Sequence, residues 1–188
     1  MERVGKDLMS PKEALEHALK WIKELELDRR PSYKLLRRRE IRLLKPILVR
    51  EEIKPGMKEE VKVPYYYLVR FGLEKETNRY NKPLARIGVI VNAYTGKFEE
   101  IGAFSRPVKF LSKKGAIRIA AKAMNLSVKE IEEMQKDNLI RARTMYQPSE
   151  ITHIRIYPFW EVKIKENILY VDQLGKLYGS IEPSRPGD

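Results

Sequence analysis

The chain has no cysteine. Disulfides, thiolate nucleophiles and cysteine-based zinc sites are excluded together, although the compartment is not fixed by this. Histidine is nearly absent: His17 and His153 are the two copies, one in each half of the chain. Neither has the carboxylate spacing of a metal site beside it. No apolar run reaches the roughly 18 residues that a membrane-spanning helix needs. The N-terminus, Met1 to Met9, has no apolar core of a secretory signal, so a cytoplasmic location is the expectation. There is also no P-loop, no Gly-x-Gly-x-x-Gly, no His-Glu-x-x-His and no Gly-x-Ser-x-Gly elbow. These absences leave no cofactor, metal ligand or catalytic residue to name, and they point away from an enzyme.

What is present is apolar material and positive charge. Hydrophobic residues make up 43% of 188, enough to build a packed core in one domain or two small ones. Charged residues reach 34%, a composition that leans towards a thermophile, where ion-pair networks replace thermolabile side chains. The net charge is +12, enough to attract nucleic acid, anionic lipid or an acidic protein. Between Arg29 and Arg50 nine cations face one acid, Glu40, which is about two thirds of the whole excess. The remainder reads as only mildly basic. Arg37, Arg38, Arg39, Arg42 and Lys45 are therefore the candidate polyanion-binding residues, with cations expected on both faces of a strand. Phosphate contacts need density of charge more than precise geometry. The competing explanation is a solvated surface, partly neutralised by Glu51, Glu52, Glu59 and Glu60.

Periodicity supplies the elements. Ser10, Pro11 and Glu13 form a helix start with a capping box, and Leu15, Ala18, Leu19, Ile22 and Leu25 recur at helical spacing to about Leu27. Four strand patterns follow: Ile41 to Ile53, Val63 to Leu73, Ala85 to Val91 and Lys97 to Phe104. Pro46 predicts an edge position or a bulge in the first of these. Lys54 to Lys58 reads as a turn and Glu74 to Pro83 as a polar loop. Ser105 to Leu111 is the expected join. Beyond it, Ser112 caps a helix whose stripe is Ala116, Ile119, Ala120, Ala123 and Met124, ending near Asn125. A short helix over Val128 to Met134 comes next. Strands are then expected at Leu139 to Tyr146, Ile151 to Ile164, Ile168 to Val171 and Lys176 to Ile181, with a frayed tail from Ser184. Helix followed by antiparallel strands, twice, is an α+β organisation. The order of features repeats: capped helix, aromatic strand, Gly-Lys turn. The expected domains are 1–106 and 107–188, the second with shorter loops.

Two short turns close the halves, Asn92-Ala93-Tyr94-Thr95-Gly96-Lys97 and Asp172-Gln173-Leu174-Gly175-Lys176. Asn92 and Asp172 are suited to hydrogen-bond local backbone, and Gly96 and Gly175 to supply a positive φ. That makes the four residues a structural hairpin device ahead of a ligand site. The aromatic runs Tyr65-Tyr66-Tyr67 and Tyr157-Pro158-Phe159-Trp160 read mostly as core, with Tyr66 or Phe159 the candidates for exposure and for stacking on bases. The acidic pairs Glu51-Glu52, Glu59-Glu60, Glu99-Glu100 and Glu132-Glu133 read as solvated faces, since adjacent strand residues point to opposite sides.

The helix, Val63 to Leu73 and Ile87-Gly88-Val89-Ile90-Val91-Asn92-Ala93-Tyr94-Thr95-Gly96-Lys97 together resemble a PepSY domain. Tyr157-Pro158-Phe159-Trp160-Glu161-Val162 with Tyr170 to Lys176 resembles a second. The family pattern has Asp where this chain has Asn92; Asp172 keeps it. The resemblance implies two cystatin-like repeats, each a helix cradled by an antiparallel sheet. PepSY domains are commonly proposed to bind or restrain peptidases, often outside the cytoplasm, and the family brings no catalytic residues. The resemblance thus implies a non-enzymatic binding or regulatory protein with a protein or peptide partner. The alternative is nucleic-acid binding through Arg29 to Arg50.

Overall fold

The computed structural model of the protein describes residues 8–52, 63–78, 84–149 and 154–182. The chain is α+β and divides into two compact units, Met1–Val49 with Pro64–Lys109, and Arg50–Val63 with Phe110–Asp188. Among the described residues no helix is long and apolar enough to cross a membrane. The expected turn at Lys54 to Lys58, the acids Glu59 and Glu60, His153 and the tail from Ser184 lie outside the described residues, as do the ends of the expected loop at Pro83 and strands at Ile53 and Ile151.

In the first unit, helix α1 (Pro11–Glu24) begins with both halves of a capping box. The Ser10 amide donates to Glu13 Oε2 at 2.6 Å, and the Glu13 amide donates to Ser10 Oγ at 3.2 Å. The helix stops short of the expected Leu27 because Glu26 takes a left-handed conformation, φ +49. Two short 3-10 helices, Leu27–Arg29 and Pro31–Arg37, lead into strand β1 (Ile41–Glu51). Strands β2 (Tyr65–Leu73), β3 (Ala85–Asn92) and β4 (Phe98–Val108) complete the unit in the order β4-β3-β2-β1. Pro46 sits mid-way along β1, in the part where β1 is the last strand of this unit and a missing N–H is tolerated.

Antiparallel register places Tyr67 opposite Val91, Val69 opposite Val89 and Phe71 opposite Ile87. These pairs share one face of the sheet, and α1 lays Ala14, Ala18 and Ile22 on it. Each large side chain buried this way contributes roughly 1.5–3 kcal/mol. The expected apolar stripe is corrected here: Leu19 and Leu25 are exposed, and the packed face is rotated towards His17 and Trp21. The opposite sheet face is buried too, at Tyr66, Leu68 and Ile90. Strand β4 runs to Val108, so the join after it is shorter than the expected Ser105 to Leu111.

In the second unit, helix α2 (Lys113–Ala123) starts at the Ser112 cap, and α3 (Val128–Lys136) at a Ser127–Glu130 capping box. Strands β5 (Ile140–Tyr146), β6 (Phe159–Ile164), β7 (Asn167–Val171) and β8 (Leu177–Tyr178) form antiparallel neighbours in that order. Arg50 and Glu51, the end of β1, belong to this unit and pair in parallel with Met145 and Tyr146. Ile154 to Pro158 is turn and bend rather than the expected start of β6, and β8 is shorter than expected. α2 buries Ala116, Ile117, Ala120 and Ala121 against Ile140, Val162, Ile164 and Val171. Ile117 and Ala121 therefore join the expected Ala116 and Ala120 in the core, the expected Ile119 and Met124 pack half-buried against it, and Ala123 is exposed. Three alanines and Ile117 face the sheet, which leaves Lys114, Arg118 and Lys122 on the outside.

Candidate functional site

The closing turns are built by their own side chains. Asn92 Oδ1 accepts the amides of Tyr94 and Thr95, each at 3.0 Å, and Asn92 Nδ2 donates to Glu99 Oε1 at 2.9 Å. In the second unit Asp172 Oδ1 accepts the amides of Leu174 at 2.8 Å and Lys176 at 2.9 Å. Gly96 and Gly175 have φ +67 and +89, the region that L side chains avoid. Each glycine also lies against the seventh residue after its unit's N-cap serine. A Cβ on Gly96 would stand 2.5 Å from His17 Nδ1, and one on Gly175 would stand 3.2 Å from Ile119 Cδ1. Trp21 Nε1 donates to the Gly96 carbonyl at 2.7 Å, fixing the first turn to α1. His17 is thus a packing residue on this turn.

The residue after each Asx position ties the turn to the segment before the helix and to the start of an inner strand. Ala93 does this with backbone: its amide donates to Tyr65 O at 3.0 Å and its carbonyl accepts from Met9 N at 2.9 Å. Gln173 does it with its side chain. Oε1 accepts from Leu111 N at 2.9 Å and Nε2 donates to Pro158 O at 2.5 Å. The Gln173 side chain is buried, so both bonds are made out of competition with water. Asp172 also accepts from the Tyr178 hydroxyl at 3.2 Å, and burial together with the Asp172 charge pushes that phenol up.

The basic segment is rearranged relative to the sequence expectation. Arg37 ends the 3-10 helix, Arg38 caps it and Arg39 lies in the turn before β1, so these three are not strand residues. Only Arg42 and Lys45 are on β1. All five are exposed. Arg37 pairs with Asp28 at 3.2 Å and Arg42 with Glu74 at 2.6 Å, so both are partly neutralised. Among the described residues Arg38, Arg39 and Lys45 take part in no ion pair. Arg70 on β2 adds a further cation beside them: its Nη2 donates to Lys45 O at 2.7 Å, and burial pulls its guanidinium down to about 10. The aromatic partners expected for bases are missing, since Tyr66 and Phe159 are both fully buried. The acidic pairs differ: Glu51 and Glu52 are half-buried rather than solvated, with Glu51 bound to the sequence-distant Arg155 at 3.0 Å and Glu52 to Arg50 at 3.8 Å, whereas the exposed Glu133 makes a helical contact with Lys129 at 4.0 Å.

A second cationic surface was not singled out from sequence. Lys114, Arg118 and Lys122 project from the outer side of α2, and they line an open groove of about 600 Å³ between α2 and α3. Its apolar lining comes from Ile117, Leu126, Val128 and Ile131, and its far side carries Glu132 and Gln135. Val128 is 72% exposed, the second most exposed large hydrophobic residue among those described. The signal was available: residues 101–129 hold seven cations and no acid. It was hidden because the charge outside Arg29–Arg50 sums to a small number once the acids of other segments are included. No protein-family model matches the chain, and no curated protein matches it.

Proposed function

We propose that the chain is a non-enzymatic binding or regulatory protein that acts through a protein or peptide partner and is built from two cystatin-like, PepSY-type repeats. The repeat reading is supported by the matched local geometry of the units: a serine-capped helix, an Asx-closed hairpin, and a turn glycine packed on the seventh residue after the cap. The observation that carries the binding role is the groove on α2 and α3. It combines apolar lining with a row of cations on a helix, and among the described residues these side chains have no ionic partner. A large exposed apolar residue beside unpaired charge is what a recognition surface presents to a partner of complementary chemistry.

Nucleic-acid binding by Arg38, Arg39 and Lys45 is the second reading, favoured by their exposure. It has weaker support, because the aromatic residues that would stack on bases are in the core. Panning a displayed library of random peptides against the full chain tests the first reading, with retained peptides titrated by fluorescence anisotropy. Specific peptide binding in the micromolar range is expected. Failure to enrich any peptide above a bare-surface control sinks the proposal. DNA binding with a steep salt slope, lost on charge reversal at Arg38, Arg39 and Lys45, would replace it with the second reading.

A further inference from the structure

The groove between α2 and α3 has two kinds of surface side by side. Lys114, Arg118 and Lys122 recur every four residues, so they form one row about 12 Å long on the outer side of α2. Among the described residues none of the three is in an ion pair, whereas Lys129 on α3 pairs with Glu133. Beneath the row, the half-buried Leu126 and Ile131 line the trough over the buried Ile117, and Val128 stands open at its mouth. The three cations face outward because α2 turns Ala116, Ile117, Ala120 and Ala121 to the sheet. The sequence offers no acid between residues 101 and 129, and Glu132 across the groove pairs with none of the three among the described residues.

We infer that this groove docks an acidic amphipathic helix of a partner protein. The inference rests on the binding-module reading given above. A helix places residues four apart on one line, so carboxylates at that spacing match the cation row while the helix's apolar stripe covers Leu126, Val128 and Ile131. The apolar contact supplies affinity and the charge row supplies orientation and on-rate. An extended polyanion would match the charge and would leave the apolar lining uncovered, which is why the acidic helix is the preferred occupant.

The test uses the full chain and a fluorescein-labelled 18-residue helical peptide, with leucines on one face and glutamates flanking them. Controls are a scramble that keeps composition and destroys the stripe, a lysine-for-glutamate counterpart, and a single-stranded oligonucleotide of equal charge. Binding is expected for the first peptide alone, weakening as salt rises because the rim charges are exposed. Lys114→Glu, Arg118→Glu and Lys122→Glu combined should weaken it about tenfold or more. Val128→Asp should weaken it with the charges intact, and an unchanged Trp160 emission and circular dichroism spectrum would show that both variants are folded. Equal binding of the scrambled peptide overturns the inference. So does an oligonucleotide that binds more tightly and is lost on the same reversals. Peptide binding that survives both sets of substitutions overturns this site while leaving the binding-module reading in place; a displayed library with no binder overturns that reading itself.

Discussion

Replacing Gly96 by alanine probes the link between the closing turn and α1. Two effects act on it. Alanine at φ +67 is in the left-handed region, which costs about 1–2 kcal/mol relative to glycine. Its Cβ would also stand 2.5–2.6 Å from three atoms of the His17 ring, closer than real Cβ contacts, so the ring or the turn must move. Overpacking of this kind costs about 1–3 kcal/mol. Gly96→Ala should therefore destabilise the first unit by about 2–5 kcal/mol. Gly175→Ala shares the first effect, but its Cβ meets only the terminal methyl of Ile119 at 3.2 Å, which can rotate away. About 1–2 kcal/mol is expected there. Gly179→Ala, with nothing within 4 Å of its Cβ, serves as a control within about 0.5 kcal/mol of wild type. The chain's two tryptophans make the assay specific, because Trp21 lies in the first unit and Trp160 in the second. Urea unfolding of Gly96→Ala is followed at Trp21 in a Trp160→Phe background, and that of Gly175→Ala at Trp160 in a Trp21→Phe background. At a slope of about 1–3 kcal/mol per molar urea, a 3 kcal/mol loss lowers the midpoint by about 1–3 M. Adding His17→Ala to Gly96→Ala removes the obstructing ring and should recover about 1–2 kcal/mol as a coupling energy. Equal losses at Gly96 and Gly175, or no recovery on removing the ring, would refute the steric argument.

Gln173→Ala leaves Leu111 N and Pro158 O without their side-chain partner in a buried site. A loss of about 2–4 kcal/mol in the second unit is expected, read by urea unfolding at Trp160; a loss under about 1 kcal/mol would mean that water replaces the amide. The Glu13 carboxyl is held below its ordinary value of 4.5 by the Ser10 amide and then by the Ser10 hydroxyl, and Glu130 likewise by the Ser127 hydroxyl and then its amide. A depressed folded value means that the capping contribution is full above 4.5 and is lost as pH falls through the folded values. Glu13→Gln should flatten the acid limb of the stability curve below 4.5, and an unchanged limb would contradict the capping geometry. Charge reversal of Arg38, Arg39 and Lys45 should change the unfolding midpoint by no more than the scatter of exposed substitutions, about 0.5 kcal/mol, because none is in an ion pair among the described residues. A larger loss would mean that these cations are structural.

Features set by chemistry within a few residues were legible. Ser10, Ser112 and Ser127 cap helices because a serine oxygen can reach the third amide. Only the first two were read from sequence, and the third carries the same Ser-x-x-Glu pattern. The strands of both units were placed closely wherever alternation was regular. Illegible features depended on what lies opposite. α1 was expected to bury Leu19 and Leu25, and the turn at Gly96 instead draws the His17 and Trp21 side of the helix inward. Tyr66 and Phe159 were candidates for exposure because alternation assumes one wet sheet face, and both residues are buried. Pro31 marks a helical start as readily as a break, which is how Arg37 came to end a 3-10 helix where a strand was expected.

By itself the sequence determined the α+β class, the caps, the two Asx-glycine turns and the excess of positive charge. Each is a property of a residue and its near neighbours, or of a sum over the chain. Tertiary structure alone decided which face of each helix is dry and which cations find a carboxylate. It also decided that Lys114, Arg118 and Lys122 stand together over an apolar trough. A helix side becomes inner or outer only when a sheet is packed against it, and a charge stays unpaired only when folding brings no acid within reach.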